Sequence, residues 1–403
     1  MKAIDQVVRD ESEATLAAPA SSIAAALVQL CRESFGGGLR AVVLTGSLAR
    51  NEASFARKGE QTILLSDAEA IVVLHDGTPL PPRQATQALC GLVERRLAAL
   101  GIRVHISLSM VHAEYLRRLP PHIFSCELRA CGRVLYGDAA MLEQIPRYTA
   151  AELSPEDAWR ILGNRLVEQM ESSAEMNIES SPRYRCIKLC LDLASSLLAF
   201  SGRFQPGYRN RLTCVERLAL TAEASQLPIP IHEFLPLLRL CTTIKLQTGS
   251  DEFANDLTHQ VTRWAWQTWL WELQQLSGSG SIACYPATQD AAKEMICRFG
   301  RSQGAAKLIR GWLYAARRTG WLRSMRHSPR WLRLLALGLT PRHAVYLAAC
   351  QWQHARCEEI SVGASKCIDG SLLPVLHEPM STAAEAARQL VWNYQEFVTE
   401  TRS

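Results

Sequence analysis

The chain has 403 residues, 48% of them hydrophobic and 21% charged, which excludes a disordered, collagen-like or coiled-coil protein and suits two or three domains with sizeable cores. Its net charge of +5 hides a division: residues 295–357 hold 12 Lys/Arg and no Asp or Glu, leaving 32 basic against 39 acidic residues elsewhere, a net of −7. The N-terminus has early acids and no apolar stretch of signal-peptide type, and no run approaches the roughly 18 apolar residues of a membrane span. Thirteen scattered cysteines without a CxxC, and dispersed histidines, argue for a cytoplasmic chain with free thiols and no zinc site; Cys186 and Cys190, one helical turn apart, read as small core residues.

In chain order, an Ala/Leu-rich stretch over 19–35 predicts a helix stopped by Gly36-Gly37-Gly38. Residues 40–45 (RAVVLT) and 68–74 (AEAIVVL) read as buried strands. Pro79-Leu80-Pro81-Pro82 breaks the chain before an amphipathic helix over 83–100, and 102–110 (IRVHISLSM) alternates as a third strand. After about 140 the pattern turns helical. Ser154-Pro155-Glu156-Asp157 is a helix start, and helices are expected over 155–173, 183–201, 232–247, 257–275 and 381–399. The crowded Trp264, Trp266, Trp269 and Trp271 read as core packing between helices, with an aromatic binding platform as the alternative. Ser277-Gly278-Ser279-Gly280-Ser281 reads as a flexible linker.

The chemistry is concentrated between residues 42 and 74, in VVLTGSLARNEAS and LLSDAEAIVVL. A buried strand delivers the chain to Gly46-Ser47. Gly46 lets the backbone approach a ligand closely, while Ser47 and the N–H groups after it can hold phosphate oxygens. Asp67 and Glu69 flank Ala68, and the two-residue period of a strand puts both carboxylates on one face. Two acids aimed at one point repel unless a cation lies between them, and hard oxygen ligands beside a phosphate-holding turn suit Mg²⁺.

A hydrophobic strand, a G-S turn and then an acid-x-acid pair opening the next strand resemble the polymerase-β-like nucleotidyltransferase superfamily. The segments GSLAR, SDAEAIVV and GRVLYGD are similar to those of its small-molecule, aminoglycoside-modifying kind, over about residues 38–140 with a weaker echo to about 215. The resemblance implies transfer of a nucleoside monophosphate from an NTP to a hydroxyl-bearing acceptor, with release of pyrophosphate. Asp67 and Glu69 would hold the Mg²⁺, Gly46 and Ser47 would grip the terminal phosphates, and Arg50 would either pair with phosphate or sit exposed against an acid such as Glu52. The superfamily's third carboxylate is missing from the expected strand, whose face carries His105, Ser107 and Ser109 instead. His105 as a base, Glu127 and Glu114 are the candidates to replace it, set against structural roles for each. On the helix RYRCIKLCLDLASSLLAFSG, Lys188 either reaches a triphosphate or pairs with Asp192, while Arg185, Arg203 and Tyr208 lie nearby in sequence.

The basic stretch 304–320 (GAAKLIRGWLYAARRTG) reads as amphipathic, with Leu308, Ile309, Trp312, Leu313 and Ala316 on one face. Segment 295–357 is then a solvated face, a nucleic-acid site using Arg and Trp, or a surface for an anionic membrane.

The expected fold is α/β (α+β): an N-terminal helical segment (1–36), a nucleotidyltransferase-like mixed-sheet domain (37–140), a helical domain (141–276), a linker (277–282) and a basic helical region (283–403). The expected function is Mg²⁺-dependent nucleotidyl transfer to a small-molecule or other non-template acceptor. The alternatives are a catalytically impaired relative that binds a nucleotide or anionic partner as a regulator or scaffold, and an RNA-directed nucleotidyltransferase.

Overall fold

The computed structural model describes residues 2–172, 182–247, 255–279, 289–319, 321–357, 368–377, 380 and 382–398. The protein is mixed α+β, with two small mixed sheets and many helices. It divides into two compact units. The first joins Met1–Leu153 to Gly202–Cys214 and Thr242–Asp251; the second comprises Ser154–Ser201, Val215–Cys241 and Glu252–Ser403. The expected boundaries differ from this division. The segment 1–36 is no separate body, three pieces of 141–276 (141–153, 202–214 and 242–251) belong with the α/β unit, and the rest of 141–276 shares a unit with 283–403. Of the expected linker 277–282, residues 280–282 lie outside the described residues, and Ser277 donates to the Gln274 carbonyl at the end of its helix.

In the first unit, helix α1 (Lys2–Phe35) ends at Gly36 (φ +49) and leads into β1 (Leu39–Thr45). There follow the single turn α2 (Gly46–Ala49), β2 (Phe55–Lys58), β3 (Gln61–Leu64), β4 (Ala68–Leu74) and α3 (Arg83–Ala98). Then come β5 (Ile102–Arg103), β6 (Ile106–His112), α4 (Ala113–Arg117), α5 (Ile123–Cys131) and β7 (Arg133–Tyr136). The main sheet has the order β6-β4-β1-β7, with β1 antiparallel to both neighbours and β6 parallel to β4. The single strand expected over 102–110 is interrupted at Val104-His105, because its two halves serve different sheets: β5 pairs with β3 and β6 with β4. The hairpin β2-β3 turns at Gly59 (φ +63); its charged, mostly exposed residues give it little hydrophobic signal.

Strand alternation sorts the core onto two faces. Leu44, Ala68 and Ala70 pack with Ile23 and Leu27 of α1 and Val93 and Leu97 of α3. Ala41, Val43, Ile71 and Val73 face Ala113 and Leu116 of α4 and Leu128 of α5. Each Val, Leu or Ile among them contributes about 1.5–3 kcal/mol on burial. The main sheet is therefore rigid where its strands end, and that is where chemistry can be positioned.

The remaining helices are α6 (Pro155–Glu168), α7 (Pro182–Phe200), α8 (Tyr208–Leu218), α9 (Ile231–Leu246), α10 (Asn255–Leu276), α11 (Gln289–Ser302), α12 (Ala305–Thr319), α13 (Trp321–Ala336), α14 (Pro341–Cys357) and α15 (Ala383–Phe397). Of these, α8 and α9 are each divided between the units. Pro155 sits at the start of α6 as expected, but the Ser154 hydroxyl makes no capping bond. The second unit is built on aromatic packing. Trp159 stacks on Trp269 (centroids 5.1 Å apart) and meets Phe299, His343 and Tyr346 edge-on. Of the four tryptophans of α10, Trp264, Trp266 and Trp269 are buried core residues, and Trp271 is half-buried against Phe200. Gly163 of α6 lies against the Tyr346 ring, where even a Cβ would come within 2.8 Å. Glu272 and His343 are among the titratable groups sealed into this unit. Glu272 is held by burial at a pKa of about 8, and its Oε1 lies 2.6 Å from the Ser196 hydroxyl. His343 is pushed down by burial to about 3. Cys186 and Cys190 are buried free thiols. Among the described residues no helix is long and apolar enough to cross a membrane.

Candidate functional site

The site begins where β1 ends. Thr45 is the register partner of Glu69, so the antiparallel pair brings the Gly46 turn beside the Glu69 carboxylate. Gly46 has φ +69, a conformation that favours glycine, and a Cβ there would stand 2.8 Å from Glu69 Oε2. Any side chain at position 46 would push that carboxylate away, so glycine is required twice over. Ser47, buried beside the turn, shares a 2.9 Å hydrogen bond with the Ser66 hydroxyl. Asp67 is exposed immediately before β4, and Glu69 is half-buried two residues on. Glu69 shares the strand parity of Ile71 and Val73, which face α4 and α5.

The parallel register of β4 with β6 pairs Glu69 with Ser107 and Ile71 with Ser109. The strand position beside Glu69 thus carries a hydroxyl where a third acid was sought. His105 stands 70% exposed, with Nδ1 3.1 Å from Glu94, whose Oε1 also accepts the backbone N–H of Ile106. Glu114 pairs with Arg117 and Arg118 on the surface of α4, and those two guanidinium groups hold its carboxyl below the usual carboxylate range.

Arg50 makes the pair with Glu52 that was weighed for it, but buried rather than exposed, and Glu127 is committed to arginines instead of standing as a solvated helix residue. Arg50 directs Nε to Glu52 at 2.9 Å and Nη1 to Glu127 at 2.8 Å. The second oxygen of Glu127 accepts from Arg211. Glu52 closes the network by accepting the backbone N–H of Tyr208 at 2.6 Å, and the Tyr208 ring lies 5.4 Å from the Arg50 guanidinium and 5.2 Å from that of Arg211. The side chains of Arg50, Glu52 and Arg211 are at most 9% exposed and that of Glu127 18%. Guanidiniums so deeply buried need carboxylates, and these two consume the donors that a phosphate would use. Burial alone would depress Arg50, but Tyr208 and Glu52 more than offset it and its pKa rises. Burial and the neighbouring Arg50 pull Arg211 down to about 9.

Lys188 belongs to the second unit, where its Nζ lies 5.2 Å from the Tyr184 ring, and Asp192 instead accepts from Arg165. Arg185, also in that unit, is buried 3.9 Å from Glu171. Neither is among the side chains the first unit brings together. Sequence reasoning passed over Ser66, Arg211 and Lys245. Ser66 directly precedes the acid pair, a usable signal; Arg211 had none. Lys245, 2% exposed, donates to the Ser54 hydroxyl at 3.0 Å, across 191 positions of sequence.

The donor set was tested against the cation that the sequence implies. Mg²⁺ is commonly held by one or two protein carboxylates, with substrate phosphates and water completing its shell. Asp67 and Glu69 supply that number, and the Gly46 clearance leaves Glu69 Oε2 beside an uncrowded backbone, so the residues fit. Among the described residues no group of three or more His, Cys, Asp or Glu side chains converges as a metal cage, so any such ion would depend on its substrate for the remaining ligands. A groove of about 940 Å³ in this unit lies between α1 and β7, walled by Val28, Arg32 and Tyr136, and does not include the acid pair.

Compared with protein families, with curated proteins and with solved structures, the chain matches none. What the site can do must be argued from its own atoms.

Proposed function

We propose that the chain binds the triphosphate of an NTP with Mg²⁺ at the Gly46 turn and transfers a nucleoside monophosphate to a hydroxyl of a small-molecule or other non-template acceptor. One observation carries this reading: the Glu69 carboxylate lies against a positive-φ glycine turn, with Asp67 two residues before it and Ser47 at the turn. The fold this supports is a nucleotidyltransferase-like sheet unit. When bound, the ion would supply charge neutralisation at the phosphates. Asp67 and Glu69 would hold it, the Gly46-Ser47 backbone and the Ser47 hydroxyl would orient phosphate oxygens, and catalysis would rest on positioning. Arg50 would act by holding the segment after the turn, through Glu52 and Glu127, rather than by touching phosphate.

A specific observation favours a second reading. Ser107 occupies the position beside Glu69, and Glu127 is spent on two arginines, so the chain would bind nucleotide without turning it over. The full-length protein is incubated with each labelled NTP and Mg²⁺ over a panel of hydroxyl-bearing acceptors, beside an Asp67→Asn/Glu69→Gln variant. Pyrophosphate release lost by about a thousandfold or more in the variant supports transfer. Nucleotide binding without release, abolished by the same variant, supports the second reading. Release that survives the double substitution refutes the site.

A further inference from the structure

The basic segment of the second unit divides its side chains in a way its composition does not show. Helix α12 buries Leu308, Trp312, Ala315 and Ala316. Ile309 and Leu313, expected on the same face, are instead 48% and 53% exposed. At about 100° per residue Leu313 falls about 140° from Leu308 and within about 60° of Arg310 and Arg317, which are exposed as well, while Ile309 borders the buried stripe beside Ala316. On the neighbouring α13, Leu332 is 65% exposed and is followed by exposed Arg333. Trp312 and Trp331, two of the tryptophans that a nucleic acid could stack on, are withdrawn. Trp312 donates its Nε1 to the Leu339 carbonyl, Trp331 donates its own to the Pro374 carbonyl, and their rings pack together 5.3 Å apart.

We propose that this α12–α13 surface docks on an anionic lipid bilayer, lying in the headgroup layer with Ile309, Leu313 and Leu332 reaching towards the acyl boundary and Arg310, Arg317 and Arg333 on lipid phosphates. Charge complementarity selects the occupant: residues 295–357 contain 12 Lys/Arg and no acid, which a negative surface attracts and a neutral one does not. The aliphatic side chains decide between anionic partners. A phosphate backbone offers nothing to an exposed Ile or Leu, whereas an interface gains by burying them. No described helix can cross a bilayer, so the contact is one of lying on the surface.

The test is co-sedimentation of the full-length protein with vesicles of phosphatidylcholine alone or of phosphatidylcholine with phosphatidylglycerol, with and without a single-stranded oligonucleotide as competitor. Binding is expected only with the anionic vesicles, weakening as salt is raised. Arg310→Glu/Arg317→Glu should lower partitioning by about tenfold or more, and Ile309→Ser/Leu313→Ser by about tenfold at unchanged charge. These positions are exposed, so circular dichroism should be unchanged, and the two variants check each other if either proves unstable. Absence of binding to anionic vesicles, equal binding to neutral ones, or indifference to both variants overturns the proposal. So does oligonucleotide binding that the aliphatic variant retains while vesicles are ignored, which would assign the surface to nucleic acid.

Discussion

Arginine is used in opposite ways by the Arg50 network of the first unit and by the α12–α13 surface of the second. In the first, Arg50 and Arg211 are interior groups, each fixed by carboxylates and an aromatic ring. In the second, Arg310, Arg317 and Arg333 stand outside among exposed aliphatic side chains. A buried guanidinium binds its own chain and is lost to any ligand; an exposed one beside apolar surface remains available to a partner. The interior partners, Glu52, Glu127 and Arg211, are spread over 160 positions of sequence and leave no mark on local composition. The exterior set forms a dense run. Charge density along a sequence therefore reports what a surface can attract and says little about which charges hold a fold together.

The sharpest way to break this contrast is to remove one charge of each kind. Arg211→Met leaves Glu127 buried with a single cation, and should cost about 3–5 kcal/mol in a denaturant titration. Arg310→Glu should change stability by less than about 0.5 kcal/mol. Similar losses from both would show that the contrast in burial has no energetic meaning.

A second measurement probes the helical unit, where charge is avoided rather than paired. Burial raises the Glu272 carboxyl to about 8, so the folded state holds a proton that the unfolded chain releases near its ordinary value of 4.5. That contribution is fully present below the unfolded value and is lost as pH rises to about 8, at a slope of about 1.4 kcal/mol per pH unit. His343, lowered to about 3, acts with the opposite sign: its contribution is present above about 6.5 and lost as pH falls towards 3. The Glu272 and His343 slopes offset each other between about 4.5 and 6.5; Glu171, raised by burial to about 7, adds to the decline up to that pH, and above it the Glu272 slope remains. Glu272→Gln should therefore remove the decline in unfolding free energy between about pH 7 and 8, about 1.4 kcal/mol in all. An unchanged decline would mean that Glu272 is ionised in the fold.

Effects of similar or smaller size test the turn and its surroundings. Gly46→Ala should cost about 1–2 kcal/mol through its positive φ and, by displacing Glu69, should abolish Mg²⁺-dependent NTP binding in a calorimetric titration. Smallest of all, His105→Ala should alter stability by under about 0.5 kcal/mol and pyrophosphate release by less than about threefold. A hundredfold loss of release would restore His105 as a base.

Much of the fold was legible because its signals are local. The strands over 40–45 and 68–74 and the helices starting near 83, 155 and 183 follow from hydrophobic period and from Gly or Pro punctuation. The hairpin at 55–64 was not, since charged exposed residues form it, nor was the break at His105, which depends on two strands elsewhere. At the site, Gly46, Ser47, Asp67 and Glu69 were legible from motif and strand parity. The burial of Arg50 and the commitment of Glu127 were not legible, because Arg211 reaches Glu127 and Tyr208 covers Arg50 only when the fold brings residues 202–214 back to the first unit. On α12 the hydrophobic periodicity was real, but the buried stripe runs through Leu308, Trp312, Ala315 and Ala316, and Ile309 and Leu313 were left outside.

The division of the first unit into three stretches of chain bears on how the protein is made. A ribosome delivers residues in order, and an α/β unit complete at Leu153 could fold as soon as that residue emerged. Here Glu52 waits for the N–H of Tyr208, Glu127 for the guanidinium of Arg211, and Ser54 for Lys245. By then much of the helical unit's sequence has also been synthesised. A fragment ending at 153 would carry Arg50, Glu52 and Glu127 without their closing partners, so the catalytic candidate residues cannot be isolated by cutting where the sheet ends. The unit of expression, and of inheritance by gene fusion, has to reach past Lys245.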